Sequence, residues 1–240
     1  MRGIGLFISL LMSVVFAKMT QAQFVHHLDT GPTPWTSEPK VSGEQFRFVV
    51  IGDLTGGEAP GVFESAVQKI NQLAPDFVVS VGDLIEGYTL DDATIQKQWS
   101  HFEERLARLQ APFFYLPGNH DYTNQKLADV WRKKLGKDYY AFQVNQSLFL
   151  MMNMYEQGVT GLSQEQVDYF KTALKAHDRN NPVYVFSHAP LWKVWDQEGY
   201  RELKPLLYQR KATFFCGHEH HYLYWEDGGY PHYMMAKTGG

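Results

Sequence analysis

Cysteine is almost absent from this sequence of 240 residues, in which Cys216 is the single thiol. No internal disulfide can form, so the fold must be stabilised by its hydrophobic core or by bound metal. Cys216 ends the apolar run 212–216, and a thiol in such a run is more typical of a buried strand than of a nucleophile.

Basic clusters are also missing, because the 22 Lys and Arg residues are scattered among 26 Asp and Glu residues, giving a net charge of −4. This balance argues against general nucleic-acid binding. The sequence contains no P-loop and no Gly-x-Ser-x-Gly elbow, so nothing in it supports a nucleotide-driven motor or a serine hydrolase. A hydrophobic content of 44% suits one globular domain, and its composition defines no oligomeric state.

The longest apolar run lies at the N-terminus, where residues 1–22 have the pattern of a signal peptide. Arg2 precedes an apolar stretch over 4–17, and the segment 20–22 places small residues at positions −3 and −1 of a cleavage site. This stretch is shorter than the roughly 20 residues that span a bilayer. We therefore expect an exported protein, periplasmic or extracellular, with no membrane span after cleavage; an uncleaved anchor is the alternative.

Residues 23–42 are rich in Pro, Thr and Ser, which predicts an exposed lead-in, and the folded domain is expected over 43–240. In this domain, apolar runs of strand length first alternate with helical periods, and paired strands follow. The pattern predicts an α/β fold with mixed sheets covered by helices. The sequence stops soon after a predicted strand, so a C-terminally truncated domain is an open alternative.

Polar residues follow five of the apolar runs, at the points where the predicted strands end. They are Gly52-Asp53, Gly82-Asp83, the segment 118–121 (Gly-Asn-His-Asp), Ser187-His188 and the segment 217–220 (Gly-His-Glu-His). In open α/β sheets, ligands bind outside the carboxyl ends of the strands. Each segment alone could be an ordinary turn, but independent turns explain their joint occurrence poorly. Imidazole together with carboxylate suits Zn, Fe, Mn or Ni better than Ca, which prefers oxygen ligands alone.

The order of these segments resembles the signature of the calcineurin-like metallophosphoesterase superfamily, over residues 46 to about 235. The resemblance implies a sandwich of two mixed β-sheets flanked by helices, with two divalent metal ions (Mn, Zn or Fe) at the strand ends. It implies one ion held by Asp53, Asp83 and His220, and a second held by Asp83, Asn119, His188 and His218.

The sequence departs from the family pattern at Thr55, because the first motif commonly reads Asp-x-His and here reads Asp53-Leu54-Thr55. Thr55 is one candidate for the missing ligand. Glu86 is another, since it follows Asp83 by three residues, the spacing at which purple acid phosphatases carry a Tyr ligand. Sequences of secreted bacterial phosphoesterases with a Gly-Asp-x-Thr first motif are similar here.

The resemblance implies metal-dependent hydrolysis of a small phosphate ester, either a phosphomonoester or a phosphodiester, by a metal-bridging hydroxide. His120 would be the general acid or a donor to a phosphate oxygen, with Asp121 orienting its ring; alternatively, His120 only packs the turn. A catalytically weakened metal-binding or scaffolding protein with the same fold is the competing hypothesis.

Aromatic residues that follow His188 are candidates for the substrate pocket and could equally belong to the core. They are Trp192, Trp195 and Tyr200.

Overall fold

The structure is a computed structural model, and it describes residues 23–28, 30–156, 158, 160–194 and 198–240. The predicted signal peptide, residues 1–22, and Trp195 lie outside these described residues.

Strands and helices alternate along the chain. In chain order, the strands are β1 (Phe24–His26), β2 (Phe48–Ile51), β3 (Phe77–Ser80), β4 (Phe113–Phe114), β5 (Tyr140–Val144), β6 (Ser147–Met152), β7 (Val183–Ser187), β8 (Thr213–Cys216), β9 (Leu223–Asp227) and β10 (Tyr230–Met234). The helices are α1 (Val62–Leu73), α2 (Asp92–Leu106), α3 (Gln125–Leu135), α4 (Gln164–Ala176) and α5 (Glu198–Gln209), and Leu191–Val194 form a short 3-10 helix.

The strands form two sheets. The larger sheet is mixed, with the strand order β1-β5-β6-β7-β8-β10-β9. In it, β6, β7, β8 and β10 run parallel, whereas β1, β5 and β9 pair antiparallel with their neighbours. The smaller sheet, β2-β3-β4, is parallel, and an isolated antiparallel bridge joins Trp35 to Phe114 at its edge. The predicted fold class, an α/β sandwich flanked by helices, is confirmed.

Side chains alternate along the central strands and thereby build three apolar layers. In β3, Val78 packs with residues of α1, α2 and α3, whereas Phe77 and Val79 pack between the sheets. In β6, Phe149 belongs to the layer between the sheets, and Leu150 to the layer under α4 and α5. Because successive strand side chains point to opposite faces, a strand covered on both sides must be apolar throughout.

The prediction of an exposed lead-in is wrong for Phe24–His26 and for Trp35. Strand β1 pairs antiparallel with residues 142–144 of β5, so its backbone groups are satisfied at the edge of the larger sheet. Trp35 is 5% exposed and packs among the aromatic rings between the sheets. Burial of a large indole outweighs the loop character that the prolines indicate.

His232 is a buried titratable residue on β10, where it pairs with Phe214 of β8. Its side chain is 2% exposed and stacks on Phe214 and Trp225, with ring centroids 4.3 and 4.8 Å away. Its Nε2 has no hydrogen-bond partner among the described residues. Burial lowers the pKa of His232 to about 4; Asp227 opposes this shift and Lys204 adds to it.

We expect His232→Phe to flatten the acid side of the stability profile. The folded pKa lies below the ordinary value of 6.5, so the unfolded chain binds the proton first as pH falls. The stability contributed by neutral His232 is present above pH 6.5 and is lost as pH falls towards 4, by about 1–3 kcal/mol. Urea unfolding of both proteins from pH 7.5 to 4.5 measures this; parallel profiles would contradict the prediction.

Candidate metal centre

The predicted ligand loops meet where the strands of both sheets end, and glycines allow them to approach. A Cβ atom on Gly118 would lie 2.1 Å from Asp83 Oδ1, and one on Gly217 would lie 2.4 Å from Asp53 Oδ2. Only glycine fits at such distances. Asp83 and His218 themselves have positive φ values of 57° and 74°, conformations that are uncommon for non-glycine residues.

Four of the predicted ligands converge in what we name the asparagine site: Asp83, Asn119, His188 and His218. Asn119 Oδ1 lies 3.0 Å from His188 Nε2 and 2.9 Å from His218 Nδ1. His188 Nε2 lies 3.1 Å from Asp83 Oδ2 and 3.3 Å from His218 Nδ1. One ligand atom from each of Asp83, His188 and His218 falls within 4.8 Å of the others.

The tautomer of His188 shows why this arrangement suits a cation. His188 Nδ1 lies 2.7 Å from the carbonyl oxygen of Val81, which can only accept a hydrogen bond, so Nδ1 carries a proton. In the neutral ring, Nε2 then directs its lone pair at oxygen atoms of Asn119 and Asp83. Electron-rich atoms that face each other at about 3 Å need a positive charge between them, which either a proton on Nε2 or a metal cation supplies. The donor types fit Mn, Zn or Fe.

The second group, which we name the aspartate site, consists of Asp53, Asp83 and His220. One ligand atom from each lies within 4.8 Å of the other two, and His220 Nε2 is 3.4 Å from Asp53 Oδ1. Both carboxylates are buried, whereas the His220 side chain is 35% exposed. Asp83 belongs to both groups, so its carboxylate can bridge two ions.

The electrostatics of the carboxylates point the same way. Burial raises the pKa of Asp53 above its ordinary value, and the charge of Asp83 adds to this, although His188 opposes it. Burial acts upward on Asp83 as well, but His188 and His120 lower its pKa overall. Burial would lower the pKa of His188, yet Asp83 and Asp53 raise it to about 9. Two buried carboxylates with one shared imidazolium leave negative charge for a cation to neutralise.

The two proposed substitutes for the missing histidine occupy different positions. Thr55 is buried, and its hydroxyl has no hydrogen-bond partner among the described residues, although its backbone N–H donates to the Asp83 carbonyl oxygen at 3.2 Å. Glu86 lies outside both groups of ligands. Its carboxylate accepts a hydrogen bond from the Gly56 N–H at 3.3 Å and lies 3.9 Å from His120 Nδ1. The Thr55 hydroxyl is thus buried without a partner among the described residues, whereas the Glu86 carboxylate is hydrogen-bonded.

His120 lies beside the asparagine site. Its backbone N–H donates to Asp83 Oδ1 at 2.9 Å, and its ring Nε2 is 3.9 Å from Asp83 Oδ2. Its Nδ1 is 2.8 Å from the carbonyl oxygen of Glu86, so this carbonyl orients the ring.

The prediction that Asp121 orients the His120 ring is wrong. The buried Asp121 carboxylate instead accepts backbone N–H groups of Leu84, Ile85 and Gly118, at 2.9, 3.1 and 2.9 Å. Burial raises the pKa of Asp121 to about 7, with a further contribution from the charge of Asp83. Asp121 thus joins the second and third ligand loops through their backbones, a role that residue type and spacing do not distinguish from ring orientation.

Tyr88 contacts the site at a position that the ligand spacing did not indicate. Asn119 Nδ2 donates to its hydroxyl oxygen at 2.9 Å, which directs Asn119 Oδ1 towards the histidines. The Tyr88 ring stands at 89° to the His120 ring, with centroids 4.8 Å apart. Tyr88 is 62% exposed and has a φ of 47°. A bulky residue just after Gly87 in a ligand loop was the available signal.

The predicted pocket residues that the structure describes lie in different surroundings. Tyr200 is fully buried in the layer under α4 and α5, so its assignment to the pocket is wrong: the inward face of α5 places it in the core. Trp192 is half-buried and packs at 88° against Trp225, with ring centroids 4.3 Å apart.

In the part of the chain that the structure describes, no helix combines the length and apolarity needed to cross a bilayer.

Solved structures with this architecture include metal enzymes. A dimetal phosphatase from Danio rerio superposes with a TM-score of 0.64 at 16% identity, covering 84% of this chain and 89% of that one. A second match, described as GAP50, the anchor in the inner membrane complex of Plasmodium, has a TM-score of 0.58 at 18% identity, covering 80% of this chain and 72% of that one. These likenesses show the fold.

Sequence relatives point to phosphoric ester hydrolysis. Tartrate-resistant acid phosphatase type 5 of Mus musculus is 24% identical, with 88% of this chain and 74% of the relative covered. A serine/threonine-protein phosphatase of Rattus norvegicus is 25% identical over 70% of this chain and 61% of the relative. A probable glycerophosphodiester phosphodiesterase of Arcobacter nitrofigilis is 24% identical over 65% of this chain and 61% of the relative.

The two ligand groups that share Asp83, together with the family match, identify a metal-dependent phosphoesterase. The family model for the calcineurin-like phosphoesterases matches residues 46–222, and the chain belongs to this family. The predicted family and the predicted enzyme class, a metallophosphoesterase, are confirmed. The family is metal-dependent with a dinuclear centre, and it suggests small phosphate esters as substrates.

We expect Asp121→Ala to lower the free energy of unfolding by roughly 3 kcal/mol, because it leaves three backbone N–H groups without an acceptor. Asp121→Asn keeps one acceptor oxygen and should cost less. Urea unfolding of the metal-free protein measures both, with the exposed Asp129→Ala as the matched control. Unchanged stability in Asp121→Ala would show that the carboxylate does not hold the two loops.

Proposed function

We propose that this protein hydrolyses phosphomonoesters at a dinuclear centre formed by the asparagine and aspartate sites. The observation that carries the proposal is the buried carboxylate of Asp83, whose oxygens belong to both ligand groups. The alignment with the acid phosphatase relative covers more of this chain than the alignment with the phosphodiesterase relative. This difference favours phosphomonoesters over phosphodiesters as substrates.

The ligand residues hold and orient the centre. Divalent ions held by these residues would lower the pKa of a bound water towards 7 and would neutralise charge on a phosphate group. Asp83 sets the distance between the two positions, and Tyr88 keeps the amide of Asn119 turned towards His188. Mn, Zn or Fe suits this mixture of imidazole and oxygen ligands.

His120 is the residue we assign to proton transfer or to a hydrogen bond with a phosphate oxygen. The Glu86 carbonyl oxygen fixes the proton on Nδ1, which leaves Nε2 as the nitrogen that faces the site. Nε2 lies 3.9 Å from Asp83 Oδ2, so a substrate oxygen held beside the centre comes within its reach.

We further propose that Thr55 supplies an oxygen ligand to the aspartate site in place of the usual histidine. A buried hydroxyl without a hydrogen-bond partner costs free energy in the metal-free protein, which a bound cation would recover.

Export is proposed from the N-terminal sequence, whose charged start and apolar stretch are typical of a signal peptide. The mature protein would then act in the periplasm or outside the cell.

Thr55→Val provides a sharp test of the Thr55 ligand. The substitution keeps the shape of the side chain and removes only the unpaired hydroxyl, so the stability of the metal-free protein should stay equal or rise. The Mn²⁺ affinity of the aspartate site should fall by roughly tenfold or more. Calorimetric titration measures the affinity, with the exposed Thr172→Val as control. Unchanged Mn²⁺ affinity would exclude Thr55 as a ligand.

Phosphatase activity is tested by a metal-by-substrate screen on the signal-free protein. We expect turnover of p-nitrophenyl phosphate with Mn²⁺ or Zn²⁺ and slower turnover of the bis ester. Asn119→Ala should abolish activity with the loss of one ion, and His120→Ala should lower kcat by roughly 100-fold or more with both ions retained.

Matched controls for these variants are Asn180→Ala and His101→Ala, which alter exposed side chains away from the site. Elemental analysis reports the number of ions in each variant. Two bound ions without turnover of any ester would favour the catalytically weakened metal-binding protein over the enzyme, and one ion per chain would exclude the dinuclear centre.

A further inference from the structure

The C-terminal segment 236–239 closes over the first ligand loop. The backbone N–H groups of Thr238 and Gly239 donate to the Asp53 carbonyl oxygen at 2.8 and 3.1 Å. The Thr238 hydroxyl accepts the Gly52 N–H at 2.9 Å, and the Gly239 carbonyl oxygen accepts the Ala59 N–H at 2.8 Å. Both ends of the loop that carries Asp53 and Thr55 are therefore held by residues that follow the family match over 46–222.

Lys237 holds the middle of the same loop. Its ammonium group donates to the carbonyl oxygens of Gly56 and Gly57, at 2.9 and 2.6 Å. On the other side, the Gly56 N–H donates to the Glu86 carboxylate at 3.3 Å. Charged groups thus fix this glycine pair from two directions, in a loop that glycines would otherwise leave conformationally free.

The held loop forms a wall against the ring of His220. A Cβ atom on Gly56 would lie 2.7 Å from His220 Cε1, so the loop backbone packs directly on the imidazole. His220 Nε2, which belongs to the same edge of the ring, lies 3.4 Å from Asp53 Oδ1. The His220 side chain is 35% exposed, so contacts with the neighbouring loop are needed to fix the ring.

We propose that Lys237 is a positioning residue for His220 and therefore for the aspartate site. Lys237 fixes the Gly56-Gly57 backbone, and this backbone confines the imidazole beside Asp53. The inference rests on the proposed function only in taking His220 as a metal ligand. The aspartate site lacks the usual histidine of the first motif, so the orientation of its remaining imidazole sets its affinity.

The test uses Lys237→Met in the signal-free, metal-free chain, with Mn²⁺ alone as the probe. We expect the Mn²⁺ affinity of the aspartate site to fall by roughly 10–100-fold, which is the range typical when a residue that supports a metal ligand is lost. The Mn²⁺ affinity of the asparagine site should not change. Lys237→Arg, which can still donate to two carbonyl oxygens, should restore most of the affinity. The exposed Lys175→Met is the control.

A second readout requires no metal. In the metal-free protein, the ring ¹⁵N signals of His220, assigned with His220→Asn, should broaden or shift in Lys237→Met, while those of His188 stay unchanged. Urea unfolding of each variant separates this effect from a loss of stability.

The inference is overturned if the His220 signals do not change, or if Lys237→Met lowers stability while both Mn²⁺ affinities stay as in the wild type. Equal weakening of both sites would also overturn it, because it would indicate a general loss of structure. Failure of the proposed function would look different: wild-type protein would then bind Mn²⁺ and show the expected His220 response without hydrolysing any ester.

Discussion

The carboxylate of Asp83 is the group on which the rest of the site depends. The two carboxylate oxygens face His188 and the backbone N–H of His120. The backbone carbonyl oxygen of Asp83 accepts the backbone N–H groups of Leu54 and Thr55. One buried residue therefore fixes three ligand loops relative to one another. The left-handed backbone of Asp83 and the glycines packed against it are the conformational cost of bringing that charge to the meeting point of two sheets.

Layering explains how a small sheet and a large sheet can share one site. Helices α1–α3 cover the smaller sheet, α4 and α5 cover the larger one, and an aromatic layer lies between the sheets. In that layer, the Phe142 and Phe149 rings stack at 4.7 Å, and the Phe77 ring meets Phe149 edge-on. Such dense packing fixes the spacing of the strand ends, and the loops that follow them inherit that precision.

The sequence predicted best what depends on local pattern. Apolar runs located the central strands, and the residues that follow these strands include those brought together at the site. Features that depend on distant partners were beyond it. Strand β1 is only three residues long, and it forms by pairing with β5, more than a hundred residues away in the sequence. The partners of Asp121 are backbone groups, which carry no residue signature. The position of Tyr200 is determined by the face of α5 on which it lies, and not by its nearness to His188 in the sequence.

The two sheets contribute unequally to the ligand set, and this has a mechanical consequence. Asp53, Asp83 and Asn119 follow strands of the smaller sheet, whereas His188 and His218 follow strands of the larger one. Ions held by both sets would therefore close long loops of the chain and act as a reversible cross-link between the halves of the sandwich. A chelator would release this cross-link, whereas a chain with a single cysteine has no internal disulfide for a reductant to break.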